Sequence, residues 1–346
     1  MSIIFAKSED AKLALELVKS LQKRFVEKLN KLSKEYGENR VFEEVIWERD
    51  EGIHGGGSRF EARDEILFNT ASVNVSQVHY DDLEEKQLQS ATAISTIIHP
   101  KNPNLPSIHI HIHISLTCLR NQNSYWRIMA DLNPSIENEI DKKVFEKSLK
   151  KASKNTFDEG KNQGEKYFFI PALNRHRGIS HFYLENYKTS DKNADFIFAK
   201  EFGEEIIDTY INILTNALLN RQTFSVKDIK AQLDYHTLYL FQVLTLDRGT
   251  TSGLLVHNQN DVGIMGSLPK FVNISLLKSW IEKLEFPQNK LLEKIIESID
   301  NKGTIDIKTK EKLANVVRNH YQEFPDSLKF QASGNTIPTT VNNHIK

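Results

Sequence analysis

The most unusual stretch of the chain is the run IHIHIHIS at residues 108–115, in which isoleucine and histidine alternate. Side chains of an extended strand point alternately to its two faces, so His109, His111 and His113 are predicted to share one face. Imidazoles in this arrangement can bind a metal ion, line a ligand pocket or simply face water. The pattern itself leaves these alternatives open.

Two more groups near this run could take part in chemistry. The sequence GGGS at residues 55–58 is followed by Arg59. Glycines let a backbone approach a ligand closely, and an arginine can hold a carboxylate through two parallel hydrogen bonds. His99 ends the strand before the run, ten residues ahead of His109. A hairpin of that size can bring His99 beside the histidine face.

One carboxylate and two arginines complete the set of candidates. Asp131 lies among apolar residues of a predicted strand, where a carboxylate is either a base with a raised pKa or the partner of an arginine such as Arg127. Arg177 lies in the polar run at residues 174–186, and Arg248 lies in the sequence DRGT. Each arginine could bind an anionic ligand or stabilise its own turn.

The elements that must position these residues can be predicted from hydrophobic periodicity. Helical spacing and a capping serine at Ser8 predict a long helix at residues 8–36. Alternation of apolar and polar residues from Phe42 predicts strands as far as Pro134. The later predictions are helices at residues 138–165 and 197–220, a strand at 177–187, a strand pair with a DRGT turn at 238–259, and helices after that.

A run of strands flanked by helices that do not alternate with them predicts the α+β class. We expect a large, mostly antiparallel β-sheet with helices on both faces. The sequence offers no internal boundary, so residues 1–325 are predicted to form one domain with a helical extension from about residue 270. The polar tail, residues 326–346, is expected to be partly disordered.

Composition narrows the function classes. The chain has 45 basic and 46 acidic side chains and a net charge of −1, so a nucleic-acid partner is not expected, and individual arginines must hold any anionic ligand. Cys118 is the single cysteine, which excludes an internal disulfide and fits a reducing cytosol. No apolar run reaches the roughly 18 residues of a membrane helix. We therefore expect a cytoplasmic protein without a membrane span.

The order of several motifs resembles the oxygen-dependent coproporphyrinogen III oxidase family. The resemblance runs from about Trp47 to Pro269, and its specificity comes from having the motifs in the correct order. They are W-E-R-D-E-G-x-x-G-G-G-S-R from Trp47, S-x-x-x-H-P-x-N-P-x-x-P from Ser95, D-L-x-P from Asp131, R-G-I from Arg177, D-R-G-T-x-x-G-L from Asp247, and S-L-P from Ser267.

This resemblance implies oxidative decarboxylation of two propionates of coproporphyrinogen III to vinyl groups, giving protoporphyrinogen IX in haem biosynthesis. Dioxygen would be the oxidant, no organic cofactor would be needed, and the enzyme would be a homodimer. The resemblance implies that Asp131 takes a pyrrole proton and that His109 assists proton transfer. The residues implied to contact the tetrapyrrole substrate are Ser95, His111, His113, Arg59, Arg177 and Arg248.

The chain departs from the family inside the implied pocket. His111 and His113 stand where the family has asparagine and arginine, and residues 127–129 replace three glycines with Arg127, Ile128 and Met129. Two alternatives follow. One is a metal-dependent enzyme with a changed substrate, whose divalent metal ion would be held by His99, His109, His111 and His113. The other is a tetrapyrrole-binding protein without enzymatic activity.

Overall fold

A seven-stranded antiparallel sheet lies at the centre of the protein, in a computed structural model that describes residues 3–83, 86, 88–117, 124–257 and 259–334. The strands of the described residues are β1 (Glu43–Glu48), β2 (Gly55–Glu61), β3 (Phe68–His79), β4 (Leu88–Pro100), β5 (Ser107–Thr117), β6 (Ser124–Asn133), β7 (Phe169–Ile170), β8 (Arg175–His176) and β9 (Ser180–Tyr187). In the central sheet they follow the order β1-β2-β3-β4-β5-β6-β9. The short strands β7 and β8 pair only with each other.

Helices cover both faces of this sheet, which confirms the predicted α+β class. They are α1 (Glu9–Tyr36), α2 (Glu139–Ser153), α3 (Phe157–Phe168), α4 (Lys192–Asn220), α5 (Val226–Thr245), α6 (Arg248–Val256), α7 (Asp261–Ile264), α8 (Ile274–Lys278), α9 (Gln288–Glu297) and α10 (Ile307–Glu323). Single 3₁₀ turns occur at Asp50–Gly52, Lys154–Thr156, Pro171–Leu173, Met265–Ser267 and Ile281–Lys283, and a longer one at Pro325–Phe330. In the part of the chain that is described, no helix is long and apolar enough to cross a membrane.

Helices α1 and α4 pack on the isoleucine face of β5. Helix α1 begins where predicted, because the Ser8 side chain accepts a hydrogen bond from the backbone N–H of Ala11. Gly203 in α4 allows close packing on the sheet: a Cβ there would lie 2.7 Å from Leu21 Cδ1 and 2.9 Å from Ile112 Cδ1. The four isoleucines of the run are thus core residues, and the histidines point to the opposite side.

The predicted strand pair at residues 238–259 is wrong. This stretch forms the end of α5 and all of α6. The apolar run that suggested a strand is a helix buried on several sides, between the sheet and the C-terminal helices. The DRGT sequence is not a β-turn, because Asp247 caps α6 by accepting a hydrogen bond from the backbone N–H of Thr250 at 2.7 Å.

Helices α5 to α10 form the layer over the histidine face. Ile97 of β4 belongs to the same apolar cluster as Leu240 of α5 and Leu313 of α10, which anchors this layer to the sheet. The first residues of the predicted tail pack here as well: Ser327 is buried, and the backbone N–H of Ala332 donates to Leu246 O at 2.9 Å. Residues 335–346 and Cys118 lie outside the described residues.

Candidate active site

The antiparallel register aligns polar side chains into rows on the histidine face of the sheet. Directly paired residues of neighbouring strands point to the same face, so each row can be read from the pairing. The pairs across β5 and β6 are His109 with Asp131, His111 with Met129 and His113 with Arg127. Across β4 and β5 the same histidines pair with Ile97, Ser95 and Ala93, and across β6 and β9 Asp131 pairs with His181.

Asp131 is the centre of a buried cluster at one end of these rows. Its carboxylate is fully buried and accepts a hydrogen bond from Arg177 Nη2 at 2.7 Å. The Asn133 side chain donates to the same carboxylate oxygen at 2.5 Å. The other oxygen lies 3.1 Å from His109 Nδ1. The arginine expected beside Asp131 was Arg127, but its partner is Arg177 from the turn before β9.

These neighbours keep Asp131 ionised. Burial acts to raise the pKa of this carboxyl, but the charge of Arg177 and the contact with His109 outweigh burial and lower the pKa to about 2. A carboxylate with so low a pKa is a weak base. Its physical role in this geometry is to hold the His109 ring.

Arg177 is fixed from three sides. Its guanidinium lies between the rings of Phe168 and Tyr239, 4.7 and 4.9 Å from their centroids. Its backbone carbonyl accepts a hydrogen bond from His181 Nε2 at 2.7 Å, and His181 Nδ1 lies 3.0 Å from Glu165 Oε1. Arg177 is therefore held in place by groups of the protein on each of these sides.

A cavity of about 220 Å³ lies above the rows, between the sheet and the layer of α5, α6 and α7. The predicted site residues that line it are Ser95, His109, His111 and His113. Asp131 does not line it, so His109 is the member of the buried cluster that meets the cavity. Small-molecule sites typically have about 300–1,000 Å³. A macrocycle therefore needs more room than this form provides.

The three arginines predicted to hold propionates lie outside the cavity lining. All three are buried and face carboxylates of the protein. Arg59 Nε donates to Glu61 Oε1 at 2.7 Å, and Arg248 is paired with Glu185. Their role as substrate ligands stays a prediction. In this structure each of the three forms an ion pair with a carboxylate of the protein.

Arg127 is the residue that sequence reasoning missed. It lines the cavity, is 6% exposed, and pairs directly with His113. The signal was available, because residues 127, 129 and 131 alternate along one strand and must share a face. The sequence suggested Arg127 as a partner of Asp131, and not as a charged residue of the cavity lining.

His111 contributes a neutral ring to the side of the cavity that the sheet forms. Burial lowers the pKa of His111 well below its usual range, and the neighbouring His113 and Arg127 lower it further. The rings of His111 and His113 have centroids 5.8 Å apart. Polar contacts with ligand at this position are therefore those of a neutral imidazole.

His99 lies on the same side of the sheet but is separate from the cavity. Its Nδ1 lies 2.9 Å from Ser107 Oγ, and its ring contacts His236 and Tyr239 of α5 at centroid distances of 5.1 and 4.6 Å. Among the described residues, no group of three or more histidine, cysteine, aspartate or glutamate side chains has an arrangement suited to a metal ion. The predicted set of four histidine ligands is therefore not brought together around one point.

Comparison with known proteins identifies the family that the sequence motifs resemble. The profile of a family described as coproporphyrinogen III oxidase matches residues 14–300. The mitochondrial oxygen-dependent coproporphyrinogen-III oxidase of Mus musculus is 27% identical over 274 residues, which cover 72% of this chain and 60% of the relative. The oxygen-dependent coproporphyrinogen-III oxidase of Rickettsia akari is 25% identical over 289 residues, which cover 78% of this chain and 100% of the relative. The chain thus spans only 60% of the length of its mouse relative.

Proposed function

The chain belongs to the coproporphyrinogen III oxidase family, and on that premise we propose that it converts coproporphyrinogen III to protoporphyrinogen IX with dioxygen as oxidant. In this reaction each of two propionate side chains loses CO₂, a proton and two electrons and becomes a vinyl group. For each propionate, one dioxygen takes up the two electrons and two protons and becomes hydrogen peroxide. The names of the relatives, all oxygen-dependent coproporphyrinogen-III oxidases, support both the substrate and the oxidant.

The observation that carries the proposal is the contact between the cavity residue His109 and the buried, ionised Asp131. The distance from His109 Nδ1 to Asp131 Oδ1 is 3.1 Å, which leaves the far side of the ring for the cavity. In the proposal His109 exchanges a proton with a pyrrole N–H of the substrate. Asp131 orients the ring and stabilises its cationic form, as a buried carboxylate does behind a catalytic histidine.

Loss of the pyrrole proton makes the ring a better electron donor, which favours transfer of electrons from the propionate to dioxygen. The sheet supplies the rigid floor for this step, because His109 is held between neighbours on β4 and β6. The opposite wall, formed by α6 and α7, has to move outward to admit the macrocycle, given the present volume of about 220 Å³.

The test is a turnover assay with coproporphyrinogen III under air and under argon, in which the products are oxidised to porphyrins and separated. We expect protoporphyrin under air alone. His109→Gln should lower kcat by about 10²- to 10⁴-fold, since it removes a proton-transfer group. His54→Gln replaces a histidine that contacts Asp50 and Asp82 and lies outside the cavity lining, and this matched control should keep kcat. Equal turnover by the parent and His109→Gln would contradict the proposed role.

The metal-dependent alternative has a separate test. It predicts stoichiometric binding of Fe, Zn or Cu by protein purified without metal, and loss of that binding in the double variant His111→Ala/His113→Ala. The described contacts support it poorly, because His99 faces Ser107 and His109 faces Asp131. Binding that survives the double variant, or no binding, removes the alternative.

The proposal also includes a homodimer, which rests on the resemblance, and a cytoplasmic location, which rests on the composition of the chain. Analytical ultracentrifugation of the full chain checks the first. A molar mass twice that of the chain supports the dimer, and a single-chain mass contradicts it. Fractionation of the source cells checks the second.

A further inference from the structure

The positive charge of the cavity lining is concentrated at one residue. Among the described residues that line it, Arg127 is the only arginine or lysine, and Asp247 is the only aspartate or glutamate. The Asp247 carboxylate is already held by Tyr167 Oη at 2.8 Å and by the backbone N–H of Thr250 at 2.7 Å. An acidic ligand entering the cavity therefore meets one guanidinium and a carboxylate already engaged by its own neighbours.

Arg127 remains charged in this setting. Burial acts to lower its pKa, but its surroundings, with Tyr183 and Tyr167 the largest contributors, raise the pKa above its usual range. His111 is neutral, since burial lowers its pKa well below the usual range. A buried arginine charge is stabilised most by an anion with two acceptor oxygens, and a carboxylate matches the guanidinium fork.

The position of Arg127 relative to His109 suits a large ligand. Arg127 lies four residues before Asp131 on β6, and its cross-strand partner His113 lies four residues after His109 on β5. Four residues of strand rise by about 13 Å. This is the scale of a tetrapyrrole with its acidic side chains. The small residues Ala91 and Ala93 line the cavity and leave room beside His113.

We propose that Arg127, with His113 beside it, binds a carboxylate of the substrate while a pyrrole of the same molecule lies at His109. The inference rests on the proposed function, since it assumes a substrate that carries propionates. Arg127 is not one of the three arginines, Arg59, Arg177 and Arg248, that were predicted to bind the substrate. Arg127 acts on affinity and orientation, and proton transfer stays at His109.

The first experiment measures binding without turnover. Coproporphyrin III, the stable oxidised form with four propionates, is titrated into the protein by fluorescence, together with its tetra-amide, which keeps the shape and lacks the charges. Removing a charge-assisted hydrogen bond costs about 1.5–3 kcal/mol, or roughly 10- to 150-fold in Kd. Arg127→Gln should weaken binding of the acid by this factor and leave binding of the amide nearly unchanged.

Two further variants keep this test decisive. Arg127→Lys retains the charge but not the fork, so a smaller loss is expected, and it replaces Arg127→Gln if the latter does not fold. Arg63→Gln removes a half-exposed arginine outside the cavity and should bind both ligands like the parent. A merely structural role for Arg127 would change the Kd of the acid and of the amide together, and that result overturns the proposal.

Turnover separates this inference from the proposed function. For Arg127→Gln we expect KM to rise by a similar factor with kcat less affected. Normal turnover of coproporphyrinogen III with unchanged KM in Arg127→Gln overturns the inference and leaves the function standing. Selective loss of acid binding in a protein that shows no turnover supports the inference and contradicts the function. No binding of coproporphyrin III by the parent overturns the inference, whereas the function is overturned only by the absence of turnover under air.

Discussion

Asp131 illustrates how single residues set the chemistry of this site. The carboxylate is fully buried, and its charge is tolerated because Arg177 and Asn133 donate hydrogen bonds to it. Taking two opposite charges out of water is costly, and the pair is stable only while both members are present. The same pair fixes the oxygen that faces His109, so the stability of the core and the geometry of the proposed reaction depend on one contact.

The first prediction concerns this pair. Asp131→Asn leaves the Arg177 charge buried without compensation, so we expect a loss of about 3–5 kcal/mol in the free energy of unfolding, measured by denaturant titration. We also expect a fall in kcat of about 10²- to 10⁴-fold, because the His109 cation loses its counter-charge.

Asp208→Asn is the control for this prediction. Asp208 pairs with Arg24, and both side chains are about one-third exposed. Solvent screening limits such a pair to less than about 1 kcal/mol. Similar losses of stability in the two variants would show that burial does not govern the Asp131 pair.

At this scale the sequence predicts which residues share a face of a strand, but it does not predict which residues form an ion pair. Alternation along β5 was sufficient to predict that His109, His111 and His113 share a face, and their pairing confirms it. The ion-pair partner of Asp131 could not be read from local spacing, because Arg177 is 46 residues away and reaches Asp131 only through the pairing of β6 with β9.

At the scale of elements, the packing of α3 on β9 shapes the wall behind the cluster. Gly160 of α3 lies against the ring of Phe182, and a Cβ at this position would be 2.5 Å from Cδ2 of that ring. Gly164 is next to His181, whose Nε2 holds the Arg177 carbonyl. The absence of side chains on one face of α3 therefore sets how closely it approaches the turn that positions Arg177.

The second prediction tests this packing. Gly160→Ala should destabilise the protein by about 1–3 kcal/mol through overpacking against Phe182, despite the better helix propensity of alanine. Gly253→Ala in α6 is the control, because its nearest contact, Ile264 Cδ1, would be at 3.3 Å. Equal melting temperatures for the two variants would show that α3 can shift without cost.

Elements exposed on one side were predicted better than elements buried on several sides. Helix α1 has a clear apolar stripe and a serine cap, and its predicted bounds of residues 8–36 agree closely with Glu9–Tyr36. Helix α5 was mistaken for a strand because its last residues, from Tyr235 to Thr245, are all buried, which removes the helical period from the sequence. This continuous buried run has 11 residues, a length that favours a helix over a strand.

At the scale of the whole molecule, buried histidines link folding to pH. Burial lowers the pKa of His236 to about 3, and burial together with the nearby His236 lowers that of His99 well below its usual range. In the unfolded chain a histidine takes up a proton near pH 6.5. Between these pKa values the unfolded chain binds more protons than the folded protein, so stability decreases as the pH falls below about 6.5.

The third prediction follows from this loss of stability at low pH. Between pH 7 and pH 5, His236 alone should reduce the free energy of unfolding by about 2 kcal/mol. His236→Leu should flatten the pH dependence by that amount, which denaturant titrations of the parent and the variant at both pH values can measure. The same difference between the two pH values in both proteins would contradict a neutral, buried His236.

The arrangement of the sheet could be predicted from the sequence, but the layer of helices above the histidines could not. Consecutive strands joined by short turns predict an antiparallel meander, which the order of β1 to β6 confirms. Nothing in the local pattern shows that residues 226–323 fold over the histidine face. That placement depends on long-range packing, such as the apolar cluster that Ile97 shares with residues of α5 and α10.

The most direct test is a crystal structure of the protein with coproporphyrinogen III bound in the absence of dioxygen. We expect the macrocycle to lie over β5, in a cavity enlarged by movement of α6 and α7. A pyrrole nitrogen should lie within hydrogen-bond distance of His109, and a carboxylate should lie on Arg127. A ligand bound elsewhere, with the cavity of about 220 Å³ unchanged, would contradict the central claim that the histidine face is the floor of the reaction site.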